Sequence, residues 1–278
     1  EMQRSLVGSE MCIRDRRWSG QRSRKMAEKI DAIKEELTAT PTEALEAFVE
    51  KYASDSRTGV QKLVDTAKKR VDKLQKEMIR TENLKKYEKE YDTYTYICGI
   101  DEVGRGPLAG PVVAGAVILP KDCDILYIND SKKLSAAKRE ELYDIIMEQA
   151  VATGLGTIGP DRIDEINILQ ATYEAMRQAI AQLSPQPDLL LNDAVTIPKV
   201  AIPQVPIIKG DAKSISIGAA SIIAKVTRDR MMVYYDSIYP EYGFASNKGY
   251  GSAEHIAALK KYGPTPIHRR TFIKNFVS

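Results

Sequence analysis

Acidic side chains stand at the predicted ends of three apolar strands. Asp101 and Glu102 end the first strand, Asp193 ends the second and Asp211 ends the third. A single acid in such a position is usually a turn former or a helix cap, but here three strands of one predicted sheet share the feature. Because strand ends expose side chains on a rigid frame, we predict that the four acids converge on one site.

Converging carboxylates repel one another unless a cation lies between them. Their oxygen atoms suit hard divalent cations, so the pattern predicts Mg²⁺ or Mn²⁺. His255 and His268 are too far apart in sequence to predict a local metal pair, and a structural role fits either. Two divalent ions about 4 Å apart would activate a water and stabilise the leaving oxygen of a phosphodiester. Asp101 and Glu102, as neighbours, could both face the ions only if the backbone leaves regular strand geometry.

A glycine-rich loop follows these two acids. Gly104, Gly106 and Gly110 allow a backbone to approach a ligand closely, although such glycines more often mark a tight turn. Their spacing is not that of a dinucleotide-binding loop. Several lysines lie near the acids in sequence and could meet phosphates in a cleft. These lysines are Lys132, Lys133, Lys209 and Lys213.

The composition is that of an ordinary globular protein. The chain has 278 residues, 43% hydrophobic and 28% charged, with a net charge of +3 that permits a polyanionic partner. The longest apolar run, 108–119, is too short and too rich in glycine to span a membrane. Three cysteines without CxxC spacing argue against a disulfide framework and indicate a reducing cytoplasm.

Three segments follow one another along the chain. Residues 1–25 show no periodicity and are predicted to be a non-native leader. Residues 26–92 carry apolar residues at helical spacing, which predicts a small helical N-terminal extension. Residues 93–278 begin with two strands and then alternate helices and strands, with strands expected at 188–193 and 205–211. This order predicts an α/β domain with a mixed sheet flanked by helices.

One face of the last helix in the extension is basic. A solvated helix face is the more common explanation of such a pattern, and a surface that follows phosphates is the alternative. The residues concerned are Lys68, Lys69, Arg70, Lys73 and Lys76.

Long blocks of the sequence resemble bacterial ribonuclease HII. The match covers about residues 96–276 and includes GIDEVGRGPLAGPVVAGAVIL, NDSKKLS, KGDAKSISIGAASIIAKVTRDRMM, YGFASNKGYG and YGPTPIHRRTF. The resemblance implies a ribonuclease H-like fold and a metal-dependent endonuclease that hydrolyses the RNA strand of RNA–DNA hybrids. It also implies cleavage on the 5′ side of single ribonucleotides in duplex DNA, which leaves 3′-OH and 5′-phosphate ends.

The resemblance further implies roles for individual residues. The metal-binding and catalytic set would be Asp101, Glu102, Asp193 and Asp211. The loop that recognises the ribonucleotide 2′-OH through its backbone would be Gly104, Arg105 and Gly106, and Tyr250 would stack on the following sugar. The implied partners are RNA–DNA hybrid and ribonucleotide-containing duplex DNA, and we expect a monomer. Asn192 and Gly218 depart from the family pattern, where an apolar residue and a serine are usual, but neither departure removes an acid.

Two other functions stay open at this point. One is another nuclease of the same fold, such as a ribonuclease HIII or a resolvase-like enzyme that cuts DNA. Cleavage at a lone ribonucleotide would separate ribonuclease HII from both. The other is a nucleic-acid-binding protein that has lost catalysis, against which the presence of all four acids argues.

Overall fold

The computed structural model describes residues 28–277, so the predicted leader at 1–25 lies outside the described residues. The chain divides into two compact units, the first ending at Asp72 and the second beginning at Lys73. Within residues 28–277, no helix is both long and apolar enough to cross a membrane.

The first unit is helical, as the periodicity predicts. It contains α1 (Ile30–Ala39), α2 (Leu45–Tyr52) and the first part of α3 (Thr58–Leu84). Apolar residues at helical spacing on these elements form one core, which consists of Ile33, Leu37, Leu45, Phe48, Tyr52, Val60, Val64 and Ala67. On the basic face of α3, Arg70 donates a hydrogen bond to the carbonyl of Leu37, so this arginine contributes to the packing of the unit.

The second unit is a five-stranded mixed sheet between helices, which confirms the predicted fold class. Its elements are α4 (Lys86–Glu90), β1 (Ile97–Val103), β2 (Val112–Ile118), α5 (Ala136–Gln149), β3 (Ala152–Ile158), α6 (Pro160–Ala181), β4 (Leu189–Asp193), β5 (Gln204–Ile207), α7 (Ile215–Ile238), α8 (Phe244–Asn247), α9 (Ala253–Tyr262) and α10 (Arg270–Ile273). The strand order is β3-β2-β1-β4-β5. Strand β1 pairs antiparallel with β2 and parallel with β4. Helix α6 packs on one face of the sheet and α7 on the other.

Two of the three predicted strand ends differ in the structure. Strand β1 continues through Asp101 and Glu102 to Val103 and stays paired with β2 throughout. Regular alternation therefore directs the two acids to opposite faces of the sheet, and the expected departure from strand geometry is absent. Strand β5 ends at Ile207, so the expectation that it runs to Asp211 is wrong.

A tight turn separates β5 from Asp211. Lys209 adopts a left-handed conformation with φ of 58°, which bends the chain out of the strand direction. Residues Gly210–Ala212 then form a single 3₁₀ turn, and the Gly210 N–H donates a 2.7 Å hydrogen bond to Asp193 Oδ1. This turn, and not a strand end, fixes Asp211 next to the acid of β4.

The boundary between the compact units lies before the predicted domain boundary at residue 92. Residues 73–92 pack with the sheet: Leu84 is buried in the core beneath α7. In addition, Glu88 Oε1 accepts hydrogen bonds from Ser214 Oγ (2.6 Å) and from the Ser216 N–H (3.1 Å) where α7 begins. The sequence does not reveal this boundary because α3 continues through it without a break.

A chain that begins at Lys73 should keep a cooperative unfolding transition, whereas one that begins at Thr93 should be markedly less stable. The shorter chain loses Leu84, and removing one buried leucine side chain alone costs about 2–5 kcal/mol. It also loses the Glu88 cap of α7. Urea unfolding of both chains, followed by circular dichroism, measures the difference. Equal free energies of unfolding would show that residues 73–92 do not support the sheet.

Candidate active site

The acids on β1 and β4 lie at the same end of the sheet. Asp101 and Asp193 lie on the face covered by α7. A Cβ on Gly99, two residues before Asp101, would meet Ser216 and Ile217 of that helix, and Leu191, two residues before Asp193, clusters with Ile217. Glu102 lies on the opposite face and is held by the strand register. The rigid pairing of β1 with β4 thus fixes the relative positions of these carboxylates.

Burial and nearby negative charges make the carboxyl groups of Asp101 and Glu102 hard to ionise. Asp101 is only 7% exposed, and its burial raises the pKa of its carboxyl well above the usual range. The charges of Glu102 and then Asp193 raise that pKa further. Burial also raises the pKa of Glu102; Arg105, paired with it at 3.2 Å, opposes this rise, and Asp193 adds to it. The folded chain therefore holds negative charges that destabilise one another.

Asp211 belongs to the same electrostatic cluster. Its pKa is raised first by burial and then by the charges of Asp130 and Asp193. Lys132 acts in the opposite direction and is therefore close enough to partly neutralise Asp211. Asp193 is thus the common neighbour of the other three acids.

The donor set fits hard divalent cations in atom type and in charge. It offers only carboxylate oxygens, and a cation between them would relieve the repulsion among their negative charges. Within residues 28–277, no group of three or more His, Cys, Asp or Glu side chains already stands in metal-binding geometry. The position of Asp101 and Glu102 on opposite faces agrees with this, so joint ligation would require the backbone at these two residues to leave regular strand geometry.

The glycine-rich loop and Tyr250 lie together beside this cluster. Gly104 has φ of +92°, and a Cβ there would lie 2.2 Å from Arg228 Nε, so only glycine fits. A Cβ on Gly106 would meet only the ring of Tyr250, 3.8 Å from Cε1. Arg105, Gly106 and Tyr250 are all exposed. The predicted loop and the predicted stacking residue therefore share one open surface.

The remaining predicted lysines do not all converge. Lys133 and Lys213 line a groove beside the 3₁₀ turn of Asp211, together with the cationic side chains of Arg80 and Lys86. Lys209 is exposed on the turn itself. The groove offers several positive charges to a phosphate backbone, and Lys209 lies outside it.

Two buried arginines near the loop were not predicted. Arg228 and Arg269 are fully buried, and each donates three hydrogen bonds to backbone carbonyls. Arg228 lies four positions after Ala224 and four before Met232 on the buried side of α7, and this helical spacing is a signal that could have revealed it. No pattern distinguishes Arg269 from its exposed neighbour Arg270.

The two departures from the family pattern, Asn192 and Gly218, do not supply or remove an acidic side chain. Asn192 is fully buried, and its Nδ2 donates to the Val195 carbonyl (3.1 Å) and to Gln204 Oε1 (2.8 Å). It therefore braces the segment that joins β4 to β5. Gly218 is buried in α7 beside Ile128.

Comparisons with known proteins agree with this arrangement. The family model described as "Ribonuclease HII" matches residues 98–275, and that described as "Ribonuclease HII N-terminal domain" matches residues 29–92. The chain is 65% identical over 250 residues to Ribonuclease HII of Lachnoclostridium phytofermentans, with 90% of this chain and 98% of that protein aligned. It is 53% identical over 247 residues to Ribonuclease HII of Clostridioides difficile, with 88% and 97% aligned.

Solved structures resemble the sheet unit. Ribonuclease H2 from Pyrococcus horikoshii OT3 superposes with a TM-score of 0.56 at 30% identity, over 66% of this chain and 97% of that one. The structure of Bst-RNase HIII in complex with Mn²⁺ superposes with a TM-score of 0.52 at 16% identity, over 64% and 67% of the two chains. At that identity the second likeness concerns the fold alone.

Asp101→Asn should raise the melting temperature in metal-free buffer at neutral pH. A raised carboxyl pKa means that the stability contributed by the protonated group is present below the unfolded pKa of about 4 and is lost as pH rises toward the folded value. Asparagine does not ionise, so the variant keeps the stability that the wild type loses at neutral pH. Each ~1 kcal/mol of unfolding free energy gained in this way raises the melting temperature by about 2–4 °C.

Thermal melts at several pH values, with and without Mn²⁺, test this expectation. Mn²⁺ should stabilise the wild type more than the variant. Asp122 is exposed, so Asp122→Asn serves as the matched control and should change stability by at most about 0.5 kcal/mol. A variant that melts below the wild type in metal-free buffer would show that repulsion does not dominate at Asp101.

Proposed function

Because the chain belongs to the ribonuclease HII family, we propose that it cuts duplex DNA on the 5′ side of a single embedded ribonucleotide and leaves 3′-OH and 5′-phosphate ends. The chain is a divalent-metal-dependent endonuclease that acts on RNA–DNA hybrids. The observation that carries the finer proposal is the loop of residues 104–106, which begins one residue after the acids of β1 and exposes Arg105 and Gly106 beside Tyr250.

We assign metal binding to the acid cluster, with Mn²⁺ or Mg²⁺ as the ion. The residues that would hold it are Asp101, Glu102, Asp193 and Asp211. When bound, the ions supply an activated water and stabilise the charge on the leaving oxygen. The chain itself fixes the acids on paired strands and provides Lys132, Lys133 and Lys213 for the flanking phosphates.

Recognition of the ribonucleotide falls to the loop and to Tyr250. The 2′-OH distinguishes RNA from DNA at one nucleotide, because it can both donate and accept a hydrogen bond. The exposed backbone of Arg105 and Gly106 would bind it, and the ring of Tyr250 would pack against the next sugar. Both contacts would hold the scissile phosphate at the acids, which contributes to the rate through orientation.

We further propose that residues 93–278 form the catalytic domain, with 26–92 as its helical extension. The enzyme would act as a monomer in the cytoplasm. The location in a reducing cytoplasm is supported by Cys98 and Cys123, both of which are buried and form no disulfide.

Asp193→Asn should reduce cleavage of RNA–DNA hybrid by several orders of magnitude while the protein stays folded. The substitution removes the carboxylate that neighbours the other three acids and lowers the affinity for the ion. Single-turnover cleavage in Mn²⁺ measures the effect, with Asp122→Asn as the control. Cleavage near the wild-type rate would exclude the acid cluster as the metal site.

Gly106→Ala should impair cleavage at a lone ribonucleotide without lowering the melting temperature. The free protein has room for the added methyl group, which points toward Tyr250 across the surface where the sugar would lie. Tyr250→Ala should likewise slow cleavage at a lone ribonucleotide more than cleavage of continuous hybrid. The assay compares one duplex with a single ribonucleotide, a continuous hybrid and an all-DNA duplex. Equal cutting of the first and the last would refute 2′-OH recognition and favour a DNA nuclease of this fold.

A further inference from the structure

Arg269 fixes the glycine-rich loop from beneath. Its guanidinium donates to the carbonyl oxygens of Gly104 (2.5 Å), Arg105 (2.9 Å) and Gly110 (3.0 Å). The side chain is fully buried. Burial, and then the charge of Arg228, lower its pKa to about 9, so it remains protonated and donates at neutral pH.

These bonds determine where the loop amides point. In a trans peptide unit the C=O and the following N–H point in opposite directions. Since the carbonyls of Gly104 and Arg105 are directed inward to Arg269, the N–H groups of Arg105 and Gly106 are directed outward. Neither N–H donates a hydrogen bond to any residue within 28–277. The loop thus presents two free donors on its exposed side.

A buried pair of histidines holds the backbone of Tyr250 in place. One is His255 of α9, and the other is His268, which directly precedes Arg269. The Nε2 atoms of His255 and His268 are 3.0 Å apart, and His255 Nδ1 is 2.8 Å from the Tyr250 carbonyl oxygen. That carbonyl can only accept, so His255 carries its proton on Nδ1. The Thr265 N–H donates to His268 Nδ1 at 3.0 Å, so His268 carries its proton on Nε2.

The proton positions on His255 and His268 follow from separate hydrogen bonds, and they fit each other. His268 Nε2–H donates to His255 Nε2, and His255 Nδ1–H donates to Tyr250, which forms one directed chain of hydrogen bonds. A second proton on either ring would set two N–H groups against each other. In keeping with this, burial lowers the pKa of His255, and burial together with the charges of His255 and Arg270 lowers the pKa of His268 to about 4.

Residues 265–269, which carry His268 and Arg269, are themselves hydrogen-bonded to the loop. The Arg269 N–H donates to the Leu108 carbonyl (2.9 Å), and the Gly110 N–H donates to the Ile267 carbonyl (2.8 Å). Leu108 N–H donates in turn to the carbonyl of Gly249, the residue before Tyr250. Loop, segment and Tyr250 therefore form one hydrogen-bonded layer.

We propose that residues 265–269, together with His255 of α9, form a positioning element that holds the 2′-OH-binding amides and Tyr250 in fixed positions relative to each other. Arg269 orients the amides, and the His268–His255 pair orients Tyr250. These residues act through the recognition surface and do not touch the substrate. The proposal rests on the proposed recognition of a lone ribonucleotide by that surface.

Arg269→Met tests the first arm. The variant should lose about tenfold to a hundredfold in kcat/KM at a lone ribonucleotide, the scale of two hydrogen bonds, and lose less on continuous hybrid. Arg269→Lys keeps the charge but cannot span three carbonyls, so it should not restore selectivity. Arg270→Met is the matched control, since it removes the neighbouring exposed charge and leaves the loop bonds intact. Equal losses of kcat/KM in the Arg269→Met and Arg270→Met variants would refute positioning and indicate that both arginines act only by attracting phosphate.

His255→Phe and His255→Asn test the second arm. Phenylalanine removes the donor to Tyr250 and keeps a ring, whereas the asparagine amide can still donate, so Asn should recover selectivity that Phe loses. In a double-mutant cycle, His255→Phe should reduce selectivity little further in the Tyr250→Ala background. Both substitutions would impair the contact of the Tyr250 ring with the sugar, one by removing the ring and the other by releasing the backbone that positions it. Additive losses would contradict the proposal, as would wild-type selectivity in both His255→Phe and Arg269→Met. A wild-type enzyme that cuts ribonucleotide and all-DNA duplexes alike would refute the proposed function instead.

Discussion

Repulsion among the acidic side chains around the buried Asp101 is the constraint on which the rest of the site depends. Strand pairing holds Asp101 and Asp193 on one face of the sheet, and the turn after β5 brings Asp211 beside them. Burial raises the pKa of Asp101, and neighbouring charges add to the effect. A fold optimised for stability alone would not place these groups together. The sheet core supplies the stability that holds them in place, and a divalent cation bound between the carboxylates would relieve the repulsion.

The surface beside the acids differs from them in charge and in what it exposes. Here the chain exposes uncharged backbone donors, and it places the positive charges of Arg228 and Arg269 underneath, where they bind carbonyls. Buried arginine is costly unless its donors are satisfied, and both side chains meet that condition with three bonds each. The proposed metal site would thus depend on strand pairing, and the proposed sugar-recognition surface would depend on buried side chains.

The sequence was sufficient for the fold class and for the proximity of Asp101, Asp193 and Asp211. Apolar runs that meet acids predicted the sheet and the end of it where these acids lie, because strand period and residue type are local properties. The conformation at Asp101 and Glu102 was not predictable, since regular pairing with β2 overrides the flexibility of the glycines that follow. The contact between His255 and His268 and the burial of Arg269 arise only from tertiary packing, and neighbouring residues gave no signal for them.

The acid cluster at the ends of β1 and β4 is the proposed site of the divalent ion. Anomalous scattering from a crystal of this protein grown with Mn²⁺ measures the ion's position directly. We expect an anomalous peak in contact with the carboxylates of Asp101 and Asp193, with their side chains rotated toward it. A peak located elsewhere, or none at these carboxylates at saturating Mn²⁺, would refute the acid cluster as the metal site.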